Sequence, residues 1–329
     1  RTNPGTYTGS VVIELLEKVP ALGKVELPPF HGNGGPELVQ YKNPYRSALM
    51  IDTDKDGKQF IDTARSAETA IVGAEITDEA IRGGSITTHD DWFNGITVAD
   101  GTYRIENMKL DMEGRGGDDF EMFGCGIAVG GNAKVVIDHV DIHTKGNIST
   151  AIDVAEKSDV LIENCDIQTL GDDNREYRDN TMTHVPWVMG LKGTVRSVNC
   201  IGNTVTTFYN TKAESNGWGV FSTDDAHDLK HNLVNSKGSI TKDGPYQSGY
   251  GAYVLGPDTS TFLGTEFENT TYGLVFAGSG ADVVIGPSSK ENLDRRVGKD
   301  SLLAAETNGF ADVEEKNSVF HCNRNAAMF

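Results

Sequence analysis

No apolar run in this sequence approaches the roughly 20 residues that cross a bilayer, so a helical membrane span is excluded. Positive charge is scarce: 29 Lys and Arg stand against 48 Asp and Glu, a formal net charge of −19. Nucleic acid and anionic membrane both need a basic face, and neither is expected as a partner. A strongly polyanionic substrate is disfavoured for the same reason, unless Ca²⁺ or a local basic patch screens the repulsion. Cysteine is sparse as well. Cys125, Cys165, Cys200 and Cys322 form no CxxC pair and no zinc-ligand spacing. Isolated thiols in strand-like runs serve as small buried hydrophobes and do not mark a compartment. The chain opens at Arg1 with no export signal, as a mature or trimmed product would, and the expected location is extracellular or in the cell envelope.

What the sequence has instead is a repeat. The hexamer IENCDI (162–167) recurs as IRGGSI (81–86), IENMKL (105–110), IDHVDI (137–142), IGNTVT (201–206), LVNSKG (233–238), FLGTEF (262–267) and IGPSSK (285–290). The intervals run from 23 to 39 residues, which a coil with variable loops tolerates and a tandem helical repeat does not. Upstream of the hexamers stand short strands of the form small-apolar-x-apolar: GITV (95–98), GIAV (126–129), AIDV (151–154), WVMG (187–190), GVFS (219–222), GAYV (251–254) and GLVF (273–276). The third hexamer position reads Asn107, His139, Asn164, Asn203 and Asn235 in five consecutive units. Asn tolerates the left-handed backbone, and stacked amides can bond the neighbouring coil and one another.

This pattern resembles the right-handed parallel β-helix of pectate-lyase-like proteins, with an asparagine ladder. The resemblance implies an all-β, single-stranded solenoid of about eight coils with capping segments at its ends. The expected organisation is an N-terminal cap over 1–70, a β-helix over 71–290 and a C-terminal cap or extension over 291–329. Both ends of such a stack need cover, because an open end is an unpaired edge. SVVIELLEKV (10–19) is a candidate N-terminal cap; DSLLAAE (300–306) reads as helix and SVFHC (318–322) as a further strand. Either that last strand caps the stack, or the natural chain continues, or a partner chain or second copy covers the end.

Coil order places the loops. Those after the hexamer are long at 113–124, 171–186 and 242–249, and the turn after the GIxV strand lengthens at TDDAHDLKHN (223–232). Both loop types border the GIxV strands, which become a floor between two walls. Alternation turns the first and third residues of each floor strand outward. The central paving is then Asp153, Trp187, Met189, Phe221 and Tyr253, with Arg175, Tyr177, Arg178 and His184 on one wall and Asp224, Asp225 and His227 on the other. Outward aromatic rings suit a sugar ring or a flat apolar molecule.

The segment STAIDVAEKSDVLIENCDIQTLGDDN (149–174) is similar to the central coils of polygalacturonase-type glycoside hydrolases, where paired carboxylates hydrolyse with inversion. By that resemblance Asp172 and Asp173 match the carboxylate pair. The family's Asn-Thr-Asp is here Ser149-Thr150-Ala151, with Asp153 the nearest carboxylate, and no Gly-His-Gly or Arg-Ile-Lys follows. Elimination or epimerisation needs a base such as Arg, His or Tyr beside something that stabilises an enolate. The expectation is a carbohydrate-active enzyme with Asp153, Asp173, Asp224 and His227 as catalytic candidates; hydrolase, lyase and epimerase stay open. A non-catalytic adhesin-type β-helix and an enzyme acting on a small apolar molecule are the alternatives. No cofactor follows firmly. DTDKDGKQFID (52–62) spaces Asp52, Asp54 and Asp56 like a Ca²⁺ loop, but Thr63 stands where the bidentate Glu belongs, and a β-hairpin around DKDG is preferred.

Overall fold

The computed structural model describes residues 11–14, 46–117, 120, 122–171, 191, 193–242, 246, 248–278 and 280–328. Strands with one buried face, such as Lys109–Glu113, alternate polar and apolar residues, and every second side chain is buried. Such faces need a partner layer. Here the chain visits three sets of strands in turn and pairs each strand with its counterpart from the previous visit. The result is all-β, with long parallel sheets compatible with a β-helix.

The back sheet runs through Thr102–Glu106, Lys134–Asp138, Asp159–Glu163, Val205–Tyr209, Leu229–Val234, Asp258–Leu263 and Asp282–Gly286, all parallel and in register. The floor strands are Phe93–Val98, Ile127–Val129, Ile152–Val154, Val198–Gly202, Trp218–Ala226, Gly249–Leu255 and Glu266–Ala277. A third row links Ser85–Thr88, Lys109–Glu113, Asp141–Lys145, Asp166–Leu170, Lys212–Ser215 and Lys237–Ile240. Register stacks like on like: Ile105, Ile137, Ile162, Phe208, Leu233 and Phe262 form one column of the core.

Between the back sheet and the third row the chain turns through left-handed backbone at Asn107, His139, Asn164, Asn210 and Asn235. Asn210 Nδ2 donates to Asn164 Oδ1 at 2.7 Å, and Asn164 Nδ2 to Asp138 Oδ1 at 2.9 Å. One rung of the expected asparagine ladder is seen, between Asn164 and Asn210, and the residue at the fourth corner is Asn210 rather than Asn203. FYNTKA (208–213) is the true repeat of that coil. Asn203 lies in the short turn between floor and back sheet, its N–H on the Glu156 carbonyl at 2.8 Å.

At the ends, the helix expected at 300–306 and the further strand expected at 318–322 are found as Leu302–Glu306 and Val319–Met328, whereas the N-terminal segment departs from expectation. Parallel pairing starts ahead of residue 71, with Arg46–Thr53 against Phe93–Val98, and continues past 290, with Val319–Met328 against Glu266–Ala277. Val11–Glu14 pairs antiparallel with Asp282–Gly286, so this N-terminal strand closes the late edge of the back sheet, not its start. Helices Lys290–Arg296 and Leu302–Glu306, capped by Ser289 and Ser301, lay Leu293, Leu303 and Ala304 over Val136, Leu161, Val234 and Leu263 on the back sheet's outer side.

The DKDG segment is a hairpin between Arg46–Thr53 and Gln59–Ile61. Asp54 Oδ1 accepts the backbone N–H groups of Asp56 and Lys58, and Asp52 pairs with Arg65. The three carboxylates do not converge, and among the described residues no group of acidic, His or Cys side chains could hold a metal ion.

Inside the later coils the core turns aromatic, and a histidine sits among the rings. His231, stacked in register between Thr206 and Ser260, lies edge-on to Phe208 at 5.8 Å and to Phe262 at 6.3 Å. Neither ring nitrogen has a hydrogen-bond partner among the described residues. Burial pushes its pKa down from 6.5 to about 3. The unfolded chain therefore takes the proton first, and stability contributed by neutral burial is lost as pH falls from about 6.5 toward 3. The expected slope from this residue is about 1.4 kcal/mol per pH unit. His231→Leu should flatten the fall in denaturation midpoint between those limits; an unchanged slope would refute this account.

Candidate functional site

With Ile152 and Val154 in the core, Asp153 must turn to the outer side of its strand. Register carries that position along the floor. Met50, Thr97, Ala128, Asp153 and Asn199 form one file, and Ser222, Tyr253, Val275 and Met328 form its continuation. Thr97, Ala128, Asp153, Tyr253 and Val275 thus occupy the floor positions that alternation assigns them. The file is closed rather than open: Asp153 is 1% exposed, and Thr97, Ala128, Asn199 and Val275 are buried with it.

Two floor residues are corrected. Phe221 points into the core, with its ring 5.0 Å from Phe208. Matching GVFS to GAYV sets Phe221 beside Tyr253, but the strands pair Phe221 with Ala252 and Ser222 with Tyr253. A slip of one residue flips every side chain to the other face. Likewise Val198–Gly202 takes the floor place given to residues 187–190, so Asn199 rather than Met189 follows Asp153. Trp187 and Met189 lie outside the described residues, as do Asp172, Asp173, Arg175, Tyr177, Arg178 and His184. The 223–232 segment is not a long wall loop. Trp218–Ala226 and Leu229–Val234 continue as strands, leaving only His227 and Asp228 as the turn. His227 is exposed there, its N–H on the Gly202 carbonyl at 3.0 Å.

Asp224 is held differently. It belongs to the strand Trp218–Ala226 and pairs in register with Ile201. Its carboxylate forms an ion pair with Arg196, whose side chain is only 2% exposed. The Arg196 guanidinium carbon lies 5.4 Å from the Phe120 ring centre and 5.1 Å from that of Trp218. A guanidinium suits this setting because it is planar, weakly hydrated and able to stack while it bonds a carboxylate. Burying the charge is costly, and the carboxylate and rings together offset that cost.

Tyrosines border this pair. Leu191, Trp218, Tyr250, Tyr272 and Val275 pack as one cluster, with Tyr253 against it. Tyr250 and Tyr253 lie 5.6 Å apart, and the Tyr250 hydroxyl bonds Ser222 Oγ at 2.5 Å. The Tyr250 ring covers Gly219, where an added Cβ would collide with it, so only glycine fits. Burial raises the pKa of both phenols. For Tyr253 the nearby Asp224 raises it further, while Arg196 opposes the shift.

Asp153 and Asp224 flank the strand Val198–Gly202 from opposite sides, two residues apart in level. Strand spacing and rise put their Cα atoms about 12 Å apart. A hydrolytic pair wants its carboxyl groups roughly 5–9.5 Å apart, so these two would have to lean together. Burial also raises two carboxyls elsewhere: Glu163, to about 7, in the back sheet, and Asp258, to about 6, held by Thr223 and Ser260. Sequence reasoning missed Phe120, Arg196, Asn199, Trp218, Ser222 and Tyr250. Two of them carried a signal: Trp218 directly precedes the GVFS strand, and Arg196 is a cation next to an apolar strand in a chain poor in cations.

Removing one partner of a buried pair leaves the other charge uncompensated. Arg196→Met should destabilise the protein by about 3 kcal/mol, and adding Asp224→Leu should restore part of that loss. Chemical denaturation of both variants checks this; equal stability of Arg196→Met and the parent would refute a structural ion pair. No family model, curated protein or solved structure matches the chain.

Proposed function

We propose that this chain is a right-handed parallel β-helix of about eight coils that acts on a glycan bound at the late end of its floor, in the extracellular space or the cell envelope. One observation carries the reading: a carboxylate, Asp224, is pinned by a buried arginine beside Tyr253 and between aromatic rings, on the side of the sheet where this class of fold binds ligands. The reach of Asp224 and Tyr253 toward solvent supports it, since both are partly exposed while Thr97, Ala128, Asp153, Asn199 and Val275 are buried. Asp224 would act on the sugar, with Arg196, itself held by Trp218, fixing its position and Tyr253 bordering the ring subsite. A phenol and an arginine beside one carboxylate suit proton abstraction and enolate stabilisation at least as well as two-carboxylate hydrolysis. His227 and Asp173 remain proposals of the same kind.

A second reading has its own support. An enzyme acting on a small apolar molecule would need a closed site, and the floor at Thr97, Ala128, Asp153, Asn199 and Val275 is covered rather than an open trough.

Incubation with a glycan panel separates them, reading reducing ends for hydrolysis and ultraviolet absorbance of the unsaturated product for elimination. The glycan reading expects activity on at least one glycan, at least a hundredfold lower in Asp224→Asn and at least tenfold lower in Tyr253→Phe. Failure of every glycan, with an apolar ligand retained through purification, would favour the second.

A further inference from the structure

Short turns join the floor strands to the back sheet, and three consecutive ones hold the same place in the coil. They read Gly131-Asn132, Glu156-Lys157 and Gly202-Asn203. The Lys157 N–H donates to the Gly131 carbonyl at 2.9 Å, and the Asn203 N–H to the Glu156 carbonyl at 2.8 Å. Glu156 is thereby stacked between the two glycines, and Lys157 between the two asparagines. The first residue of each turn is left-handed, with φ of 62°, 63° and 75° in chain order. That backbone is cheap for glycine and strained for a residue with a Cβ. Glu156 holds a conformation that the turns on either side leave to glycine.

Strain kept at a surface turn is a pointer to function when it comes with a site. Here it does. The six residues line one cavity of about 370 Å³. Asn132, Glu156, Lys157 and Asn203 are exposed, and among the described residues their side chains form no hydrogen bond or ion pair. The carboxylate and the ammonium are neighbours in the chain, yet they do not pair with each other. A turn that served only to join two strands would repeat Gly-Asn in the middle coil as well.

We propose that this cavity binds a small zwitterion, an α-amino acid or a molecule of the same charge pattern. Glu156 takes its ammonium, Lys157 its carboxylate, and the amides of Asn132 and Asn203 its remaining polar groups. Charge selects this class. A simple cation leaves Lys157 unmatched, and a simple anion is repelled by a chain that carries −19. A neutral polyol must displace the water around both charges without offering a charge in return, whereas a zwitterion replaces that water with charge-assisted hydrogen bonds at each end. Size agrees: two strand steps separate the outer turns, about 10 Å, which holds one small molecule rather than a polymer. The site uses none of the groups assigned to the glycan, so the two readings stand or fall separately.

The test is calorimetric titration of the full chain with glycine and glutamine, with ethylamine, acetate and glycerol as cationic, anionic and neutral controls. Both amino acids should bind saturably, and each control at least tenfold more weakly. Glu156→Gln and Lys157→Gln should each weaken amino-acid binding at least tenfold. Glu156→Gly, which removes the carboxylate and the backbone strain together, should lose binding in a protein at least as stable as the parent. No saturable binding of either amino acid, unchanged binding in both charge variants, or a control bound as tightly as glycine would overturn the site.

Discussion

Everything in this protein depends on the in-register parallel ladder. A parallel strand satisfies its backbone groups only against the strand before and the strand after it, so each coil fixes the placement of the next. Because side chains alternate with a period of two, register also decides which residues reach the core and which reach the floor. The Ile105 to Phe262 column and the Met50 to Asn199 file result from the same constraint on opposite faces. The asparagine ladder acts at the corners, where Asn210 bonds Asn164 and Asn164 bonds Asp138, tying three successive coils together.

That dependence explains what was legible in the sequence. Short strands at regular phase and an Asn that tolerates left-handed backbone are local signals, and they led to the parallel architecture and to Asp153 and Tyr253 on the floor. The fifth coil was not legible locally. IGNTVT imitates the repeat in apolar spacing and in its Asn, yet Gly202 and Asn203 make a different turn of the coil, and the true corner is at Asn210. Phe221 failed for a related reason. GVFS and GAYV align by their glycines, but the strands pair one residue away from that alignment, and nothing within either strand reveals the offset.

Charge burial at Arg196 follows a second logic, which sequence patterns carry only weakly. An arginine this buried would be a liability by itself. It is tolerated because two other coils supply the parts: Phe120 from the long turn before one floor strand, and Asp224 and Trp218 together from a later one. Phe120, Arg196 and that later strand are far apart in the chain and meet only once the coils are stacked. Of the expected floor of Trp187, Met189, Phe221 and Tyr253, Tyr253 holds its place and Phe221 turns into the core, while Trp187 and Met189 lie outside the described residues.

Side-chain size along the stack completes the picture. Early coils fill the core with Ile96, Ile127 and Ile152, whereas later coils use Phe208, Phe221, Phe262 and Phe267. On the floor, small and polar residues up to Asn199 give way to Trp218, Tyr250, Tyr253 and Tyr272. Aromatic groups on both faces of the late strands make that end thicker and stiffer, since rings lose few rotamers and pack in fixed edge-on arrangements. Stiffness is what an arginine-held carboxylate needs if its position is to serve chemistry rather than only solubility. The early end, with its aliphatic core, lacks that aromatic support. The gradient in side-chain size thus makes the two ends of one floor physically unlike.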